Sequence, residues 1–460
     1  MAGGRERDLT AGSIPGHFRA LAVPSAVGML FTTLYNVVDM FYAGLISTDA
    51  LAGLSISFQA FFILISFGFG LGIGLSSLIG NALGARDRPR AARYAGQGIT
   101  FAAILSGLLF VAGLFLAPLM LRAIGGDTAY AEAAVDYTNL LLFATPGFLV
   151  AFTANGICSA QGDTVSLQRA QIAAFFANLA LNPLFIYGIP GLVPGIGFDG
   201  IALSTVVSQT GVMLWMLRRA FGSDLMQVCG GHDFRPRLER IMEIVEQAFP
   251  ASFSMLVMMI GGVIVQFYLK PFGADAVAAY GVALRVEQIL ILPGIGLTSA
   301  LLPIAAQNYG AGDFDRVRGA LFFCLKAGMG LMSIAAILVW TLGGTMMGVF
   351  AESEEVVRLG VQYLTLDGFM LPLYSAMFAM TSFQQALKRP LWPVYIGLYR
   401  QIAAIAAFGW IYVVWLDLGT WGVWLAIFTA VSTGFVLAGV VTLRIAGNRI
   451  GGLSPAAQPA

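Results

Sequence analysis

Residues 49–58 read DALAGLSISF, and residues 275–284 read DAVAAYGVAL, 226 positions further on (275 − 49 = 226). The same interval separates GARDRPR at 84–90 from GAGDFDR at 310–316 (310 − 84 = 226), and it pairs Pro24 with Pro250, Tyr137 with Tyr363 and Pro146 with Pro372. Apolar helices resemble one another by chance, but chance likeness does not keep register through polar loops. A fixed offset over most of half the chain marks an internal duplication.

Composition puts both copies in a bilayer. Hydrophobic residues make up 58% of the chain, charged residues 11%, and the mean hydropathy is +0.82, whereas soluble domains carry about 25% charged residues. Twelve apolar stretches, from 18–43 to 421–446, are long enough to cross about 30 Å of hydrocarbon. With no water to satisfy the backbone there, they are expected to be helices. Six spans per copy, an even number, leave the two copies in the same orientation. The expected fold class is therefore an all-α membrane protein, with twelve transmembrane helices in two six-helix bundles, a parallel internal repeat around a central cavity. On this reading 1–17 is a tail, 18–217 the first bundle, 218–247 a polar linker, 248–446 the second bundle and 447–460 a second tail.

Charge distribution sets the expected orientation. Arg86, Arg88, Arg90, Arg93, Arg218, Arg219, Arg316, Arg318 and Arg444 fall on one side of a twelve-span chain, with both termini, and only Arg122, Lys270 and Arg358 fall on the other. By the positive-inside rule both termini are cytoplasmic, in a bacterial plasma membrane. The opening MAGGRERDLTAGSIPGHF is polar and has no AxA-type cleavage site, so it reads as a cytoplasmic tail and not a signal peptide. A net charge of +1 gives no basic field for nucleic acid. Cys158, Cys229 and Cys324 show no CxxC spacing and His17 and His232 stand alone, so neither a disulfide framework nor a His-based metal or nucleophile site is indicated. The glycines of GFGLGIGLSSLIG, 68–80, match neither GxGxxG nor a Walker motif and read as helix-packing positions.

Six stretches then stand out in order: LYNVVDMFYAG at 34–44, GNALGARDRPRAARYA at 80–95, QGDT at 161–164, NLALNPLFIYG at 178–188, GIALST at 200–205 and AQNYGAGDFDRVR at 306–318. Together they resemble the multidrug and toxic compound extrusion (MATE) transporters, over nearly the whole chain. The resemblance implies a secondary active antiporter, not an enzyme, that exports amphipathic and often cationic compounds in exchange for protons or sodium by alternating access. It further suggests the bacterial branch related to DNA-damage-inducible protein F, with a cation site in the N-terminal bundle. The positions matching that branch are Pro24 as a hinge, Tyr35, Asn36 and Asp39 on the first span, Asn178 and Asn182 on the fifth, and Thr205 on the sixth. Asn182 stands where several members carry a second aspartate, so a two-carboxylate proton site is not expected.

The residues support part of this on their own. An acid inside a span costs about 2.5–3.5 kcal/mol on insertion scales and usually lines a polar site. The duplication sharpens the point, because the mate of Asp39 is Val265 (39 + 226), and those of Tyr35 and Asn36 are Gly261 and Gly262. The architecture does not require an acid there. Residues three and four apart share a helix face, so Tyr35 and Asn36 are both expected beside Asp39. Such a carboxylate is neutralised by a proton or by a cationic partner, which is the basis of exchange. The coupling ion is expected to be H+ or Na+, with sodium at Asp39 and Asn178 as the metal-ion alternative, and no cofactor is expected. Met255, Met258, Met259, Gln266, Met377 and Arg400 are candidate cavity residues, since methionine adapts to varied ligands. Arg285 and Glu287 are expected to find structural partners, and Asp367 to sit at an interface. The expected partners are the lipid bilayer and small amphipathic molecules, the protein acting as a monomer. Two other classes remain: a lipid-linked oligosaccharide flippase, which would need more intramembrane cations than Arg285 and Arg400, and a prenyltransferase, which would need paired DxxxD motifs absent here.

Overall fold

The structure, a computed structural model, describes residues 7–126 and 128–453. In order, its helices are α1 (Ile14–Ile46), α2 (Thr48–Gly84), α3 (Arg88–Gly125), α4 (Ala129–Leu141), α5 (Thr145–Ala160), α6 (Val165–Tyr187), α7 (Asp199–Phe221), α8 (Asp224–Gln227), α9 (Leu238–Leu269), α10 (Ala274–Ala311), α11 (Phe314–Gly348), α12 (Glu354–Ala386), α13 (Leu391–Leu398), α14 (Ile405–Gly409) and α15 (Gly419–Ile450). A two-residue hairpin, β1 (Gly188–Ile189) with β2 (Val193–Pro194), links α6 to α7. Several helices outrun the apolar stretch that marks them. At 38 residues, α3 is about 57 Å long at 1.5 Å per residue, and its first turns are the basic segment after Asp87.

Eleven helices among the described residues are long and apolar enough to span a membrane. The expected twelfth, α12, has 33 residues. It buries Asp367, Ser375, Gln384 and Gln385 inside the protein, and this polar load lowers its hydropathy. Two spans depart from straight α-helix. Pro146 opens α5 after a tight turn at Leu142–Ala144, which breaks one span into α4 and α5, as proline does where the preceding turn cannot continue. Between α13 and α15 the chain takes π-helical form at Tyr399–Ala404 and Trp410–Trp415.

The duplicated motifs start helices. In GARDRPR the Asp87 carboxylate accepts the Arg90 backbone N–H at 3.0 Å and caps α3; in GAGDFDR its mate Asp313 (87 + 226) does the same for Arg316 at 3.1 Å and α11. Capping of this kind satisfies donors that the first helical turn leaves free. The residue before each cap is left-handed, Gly312 at φ 77° and its mate Arg86 at φ 59°.

By backbone packing the chain forms two units. The first comprises Val27–Ser252 and the described residues up to Asp8; the second comprises Leu9–Ala26 and the chain from Phe253 onward. This differs from the bundle limits read from hydropathy, 18–217 and 248–446. The opening turns of α1 belong with the second unit, and those of α9 with the first. Residues 218–247 are also more than a linker. Gln97 of α3 donates to the carbonyls of Asp233 and Arg235 at 2.7 and 2.6 Å and accepts the Arg237 N–H at 2.9 Å, while Tyr94 donates to Glu243. The segment is built into the first unit, because its backbone groups find partners there.

The glycine run of α2 has a packing explanation. A Cβ on Gly68 or Gly72 would meet Phe152 of α5, at 2.9 and 2.8 Å, one on Gly70 would run into Ser252 of α9, and one on Gly74 would meet Ala248 of α9 at 2.9 Å. Two pairs spaced i, i+4 thus let two helices approach α2 more closely than any side chain permits.

Candidate functional site

Three helices of the first unit bring polar side chains to one place. Tyr35 and Asp39 lie one turn apart on α1, Asn178 and Asn182 one turn apart on α6, and Ser204 and Thr205 near the start of α7. Spacing of four stacks each pair on one face, and α6 and α7 pack side by side. Both amide nitrogens, of Asn178 and Asn182, donate to the same Asp39 oxygen, each at 2.9 Å. The other Asp39 oxygen accepts from Thr205 at 3.5 Å, and Tyr35 donates to the Thr205 hydroxyl at 3.0 Å. Asn182 also donates to the Asn178 carbonyl oxygen at 3.3 Å, and Asn178 to Ser204 at the same distance. Asp39 is 7% exposed, and Asn178 and Asn182 are fully enclosed.

Two features set the chemistry. A buried carboxylate without partners costs several kcal/mol, and the two amides offset part of that as long as the acid is ionised. The Asn182 carbonyl oxygen, by contrast, is buried without a hydrogen-bond partner. A side-chain amide can turn over and exchange donor for acceptor. The cluster can therefore present N–H groups to a carboxylate, or oxygens to a carboxylic acid or a small cation.

The structure corrects one expected member. Asn36 is exposed and outside the cluster, because at 3.6 residues per turn it stands about 100° round the helix from Tyr35. Ser204 is a partner the sequence reading missed, although it directly precedes Thr205 in GIALST. Pro24 lies within an unbroken α1. Of the candidate cavity residues, Met255 and Met259 are half-buried, Met258 and Gln266 are exposed, and Met377 is enclosed in the core of the second unit. Arg400 lies over the Tyr374 ring, 5.6 Å from its centroid. Asp367, expected at an interface, is fully buried, since α12 begins at Glu354 and puts it 13 residues inside the helix (367 − 354 = 13). In QGDT, Asp163 accepts from Ser166 at 2.6 Å and pairs with Arg219 at 3.1 Å, a tie between the α5–α6 turn and the end of α7.

A multi-pass helical membrane protein, duplicated along its chain and holding a buried, hydrogen-bonded carboxylate on its first span, is built as a transporter. The family model MatE matches residues 24–184 and again 250–410, with the two matches displaced by the repeat interval (250 − 24 = 226; 410 − 184 = 226). The chain belongs to the MatE family, whose members are transporters and not enzymes. Among its relatives are the probable multidrug resistance protein YoeA of Bacillus subtilis, 25% identical over 395 residues covering 84% of this chain and 85% of that one, and an FAD transporter of Shewanella oneidensis, 26% identical over 395 residues covering 83% and 84%. The multidrug export protein MepA of Staphylococcus saprophyticus is 23% identical over 368 residues covering 79% and 80%. In fold the chain is similar to a multidrug resistance MATE family transporter in its outward-facing conformation, at a TM-score of 0.88 and 22% identity covering 97% of this chain and 99% of that one. It is similar also to a MOP superfamily transporter from Pyrococcus furiosus, at a TM-score of 0.89 and 22% identity with the same coverage.

Proposed function

We propose that the protein is a secondary antiporter of the bacterial plasma membrane that exports amphipathic, cationic compounds in exchange for protons, with Asp39 as the group that proton and cargo compete to neutralise. The observation that carries this reading is the enclosure of one carboxylate by two asparagine amides at 2.9 Å, at a position whose repeat mate is Val265. In the ionised form the amides donate to it. On protonation the acid needs an acceptor, and a turned Asn178 or Asn182 amide supplies one. The Tyr35–Thr205 hydrogen bond holds the hydroxyl side of the cluster through both states. Moving one charge across the membrane contributes about 2.3 kcal/mol per 100 mV, enough to bias a helix with two conformations, and Pro24, lacking a backbone donor, is the hinge in α1.

The relatives named for multidrug resistance and multidrug export support the cargo class, and one named for FAD marks how far cargo varies among similar chains. Both termini are proposed to be cytoplasmic, on the Lys and Arg distribution, and the protein to work as a monomer without a cofactor. Sodium is the second coupling reading, favoured by the Asn182 oxygen, which is left without a donor and could serve as a ligand. Dye efflux from everted vesicles tests the proposal. We expect efflux to collapse with an uncoupler and with Asp39→Asn, at unchanged protein abundance; normal efflux in Asp39→Asn overturns the assignment. Exchanging a sodium gradient for a pH gradient of equal size decides the ion.

A further inference from the structure

The opening turns of α3 and α9 carry more guanidinium than the fold uses. They meet where Tyr94 of α3 donates to Glu243 of α9. Glu243 pairs with Arg240 at 2.6 Å and lies 3.9 Å from Arg90, and Arg90 donates to the Tyr94 hydroxyl at 3.1 Å. Gln97, one turn beyond Arg93 on α3, accepts the Arg237 backbone N–H at 2.9 Å, which brings the exposed Arg237 side chain to the same corner. Arg93 is half-buried and has no such use: its Nε is enclosed without a hydrogen-bond partner. Residues 86–94 and 237–243 together hold six arginines and three acids, Asp87, Glu239 and Glu243, and the Asp87 carboxylate is taken up in capping α3.

The duplication separates the structural arginine from the spare ones. The mate of Arg90 is Arg316 (90 + 226), whose guanidinium is taken up by the Leu9 and Gly12 carbonyls at 3.2 and 2.8 Å and by Asn308 at 2.9 Å. The mates of Arg93 and Arg240 are Gly319 (93 + 226) and Ile14 (240 − 226), and a Cβ on Gly319 would stand 2.9 Å from the Ile14 side chain. The two positions therefore adjoin, and the second unit fills them with a glycine and an apolar residue. Packing does not call for a guanidinium at either. Like charges side by side repel, and of this pair only Arg240 has a carboxylate partner. An anion held between them would relieve both.

We propose that Arg93 and Arg240, with Arg237 beside them, bind the phosphate of an anionic phospholipid headgroup. The planar fork of arginine suits the paired oxygens of a phosphodiester. Depth favours a lipid over a soluble phosphate. The apolar stretch of α3 begins at residue 96, three positions after Arg93 (96 − 93 = 3), which places Arg93 about 4.5 Å outside the hydrocarbon, within a headgroup layer about 5–8 Å thick. Further along the same face of α3, at near-whole turns from Arg93, Ile104, Leu108, Val111 and Phe115 are exposed and offer acyl chains an apolar wall. Between them and Arg93, the docked residues 233–237 cover Gln97 and Thr100 and form a ledge beneath the phosphate. A basic corner at this depth between membrane helices is the chemistry that holds anionic headgroups. The site does not depend on the antiport reading.

Native mass spectrometry of the full-length protein in detergent, titrated with phosphatidylglycerol, tests the assignment. We expect one phosphatidylglycerol to be retained more tightly than the rest, with phosphatidylcholine, whose own cation neutralises its phosphate, a poor competitor and inorganic phosphate in millimolar excess unable to displace it. Arg93→Gln and Arg240→Gln should each weaken that binding by about tenfold. Arg93→Lys, which keeps the charge but not the fork, should weaken it less, and carries the test alone if Arg93→Gln does not fold. Arg86→Gln, at an exposed position outside the pair, should leave it within about twofold. Undiminished binding in Arg93→Gln and Arg93→Lys, or an equal loss in Arg86→Gln, overturns the proposal; displacement by inorganic phosphate overturns the lipid assignment in favour of a soluble phosphate. Asp39→Asn should bind the lipid as the wild type does, so loss of efflux in that variant and loss of this site are distinguishable.

Discussion

Asp39 and Asn36 stand three residues apart on α1, one beneath two asparagine amides and the other exposed. Spacing made Tyr35 and Asp39 legible as a pair, and Asn178 and Asn182 as another, because a turn of helix fixes both. Which side of Asp39 turns inward was not legible, since i−3 and i−4 neighbours lie on opposite flanks and only packing against α6 and α7 chooses between them. We therefore expect Asn36→Ala to leave vesicle efflux within about twofold of wild type, and Asn178→Ala, which removes one of two charge-assisted donors worth about 1.5–3 kcal/mol each, to lower it by tenfold or more. Cys229 offers a residue-level test outside the membrane. Burial, with Asp233 adding to it, pushes its thiol up to about 11. Less than about one part in a hundred is thiolate at pH 8, so maleimide labelling there should be slow and should accelerate toward pH 11.

Among the elements, the motif loops and the helix starts they cap could be read directly, because Asp87 and Asp313 act within three residues of themselves. Residues 218–247 could not, because polar composition describes a solvated linker and a docked segment equally well, and the difference lies in distant side chains of α3, Gln97 with Tyr94 and Thr100. Gln97→Ala should free the carbonyls of Asp233 and Arg235 and the Arg237 N–H, and raise the maleimide reactivity of Cys229 severalfold without unfolding the bundle. Asp367 was misplaced for a related reason: hydropathy dates the start of a span from its apolar residues, whereas α12 starts at Glu354. The α2 glycines were correctly read as packing positions, though not their division between two neighbours. Gly72→Leu should lower thermal stability in detergent, by about 1–3 kcal/mol, since the Phe152 carbonyl of α5 would stand 2.8 Å from the new Cβ.

For the molecule as a whole, the 226-residue interval carried most of the fold, and the matched family model repeats at that interval. What it did not reveal is where one unit ends. The limits fall after Ala26 and after Ser252, themselves 226 apart (252 − 26 = 226), each two residues beyond a proline of the repeat, Pro24 and Pro250. The same close approach recurs in each unit. Gly70 receives Ala248 and Ser252 in the first, and its mate Gly296 receives Ala22 and Ala26 in the second. Neither unit is a continuous piece of chain, so residues 1–230 expressed alone should be degraded, and co-expression with 231–460 should restore both fragments, as immunoblots of membranes would show. A forerunner of half this length, before its gene doubled, would have had to lend its opening turns to a second copy of itself. Joining the two copies in one chain makes that exchange internal.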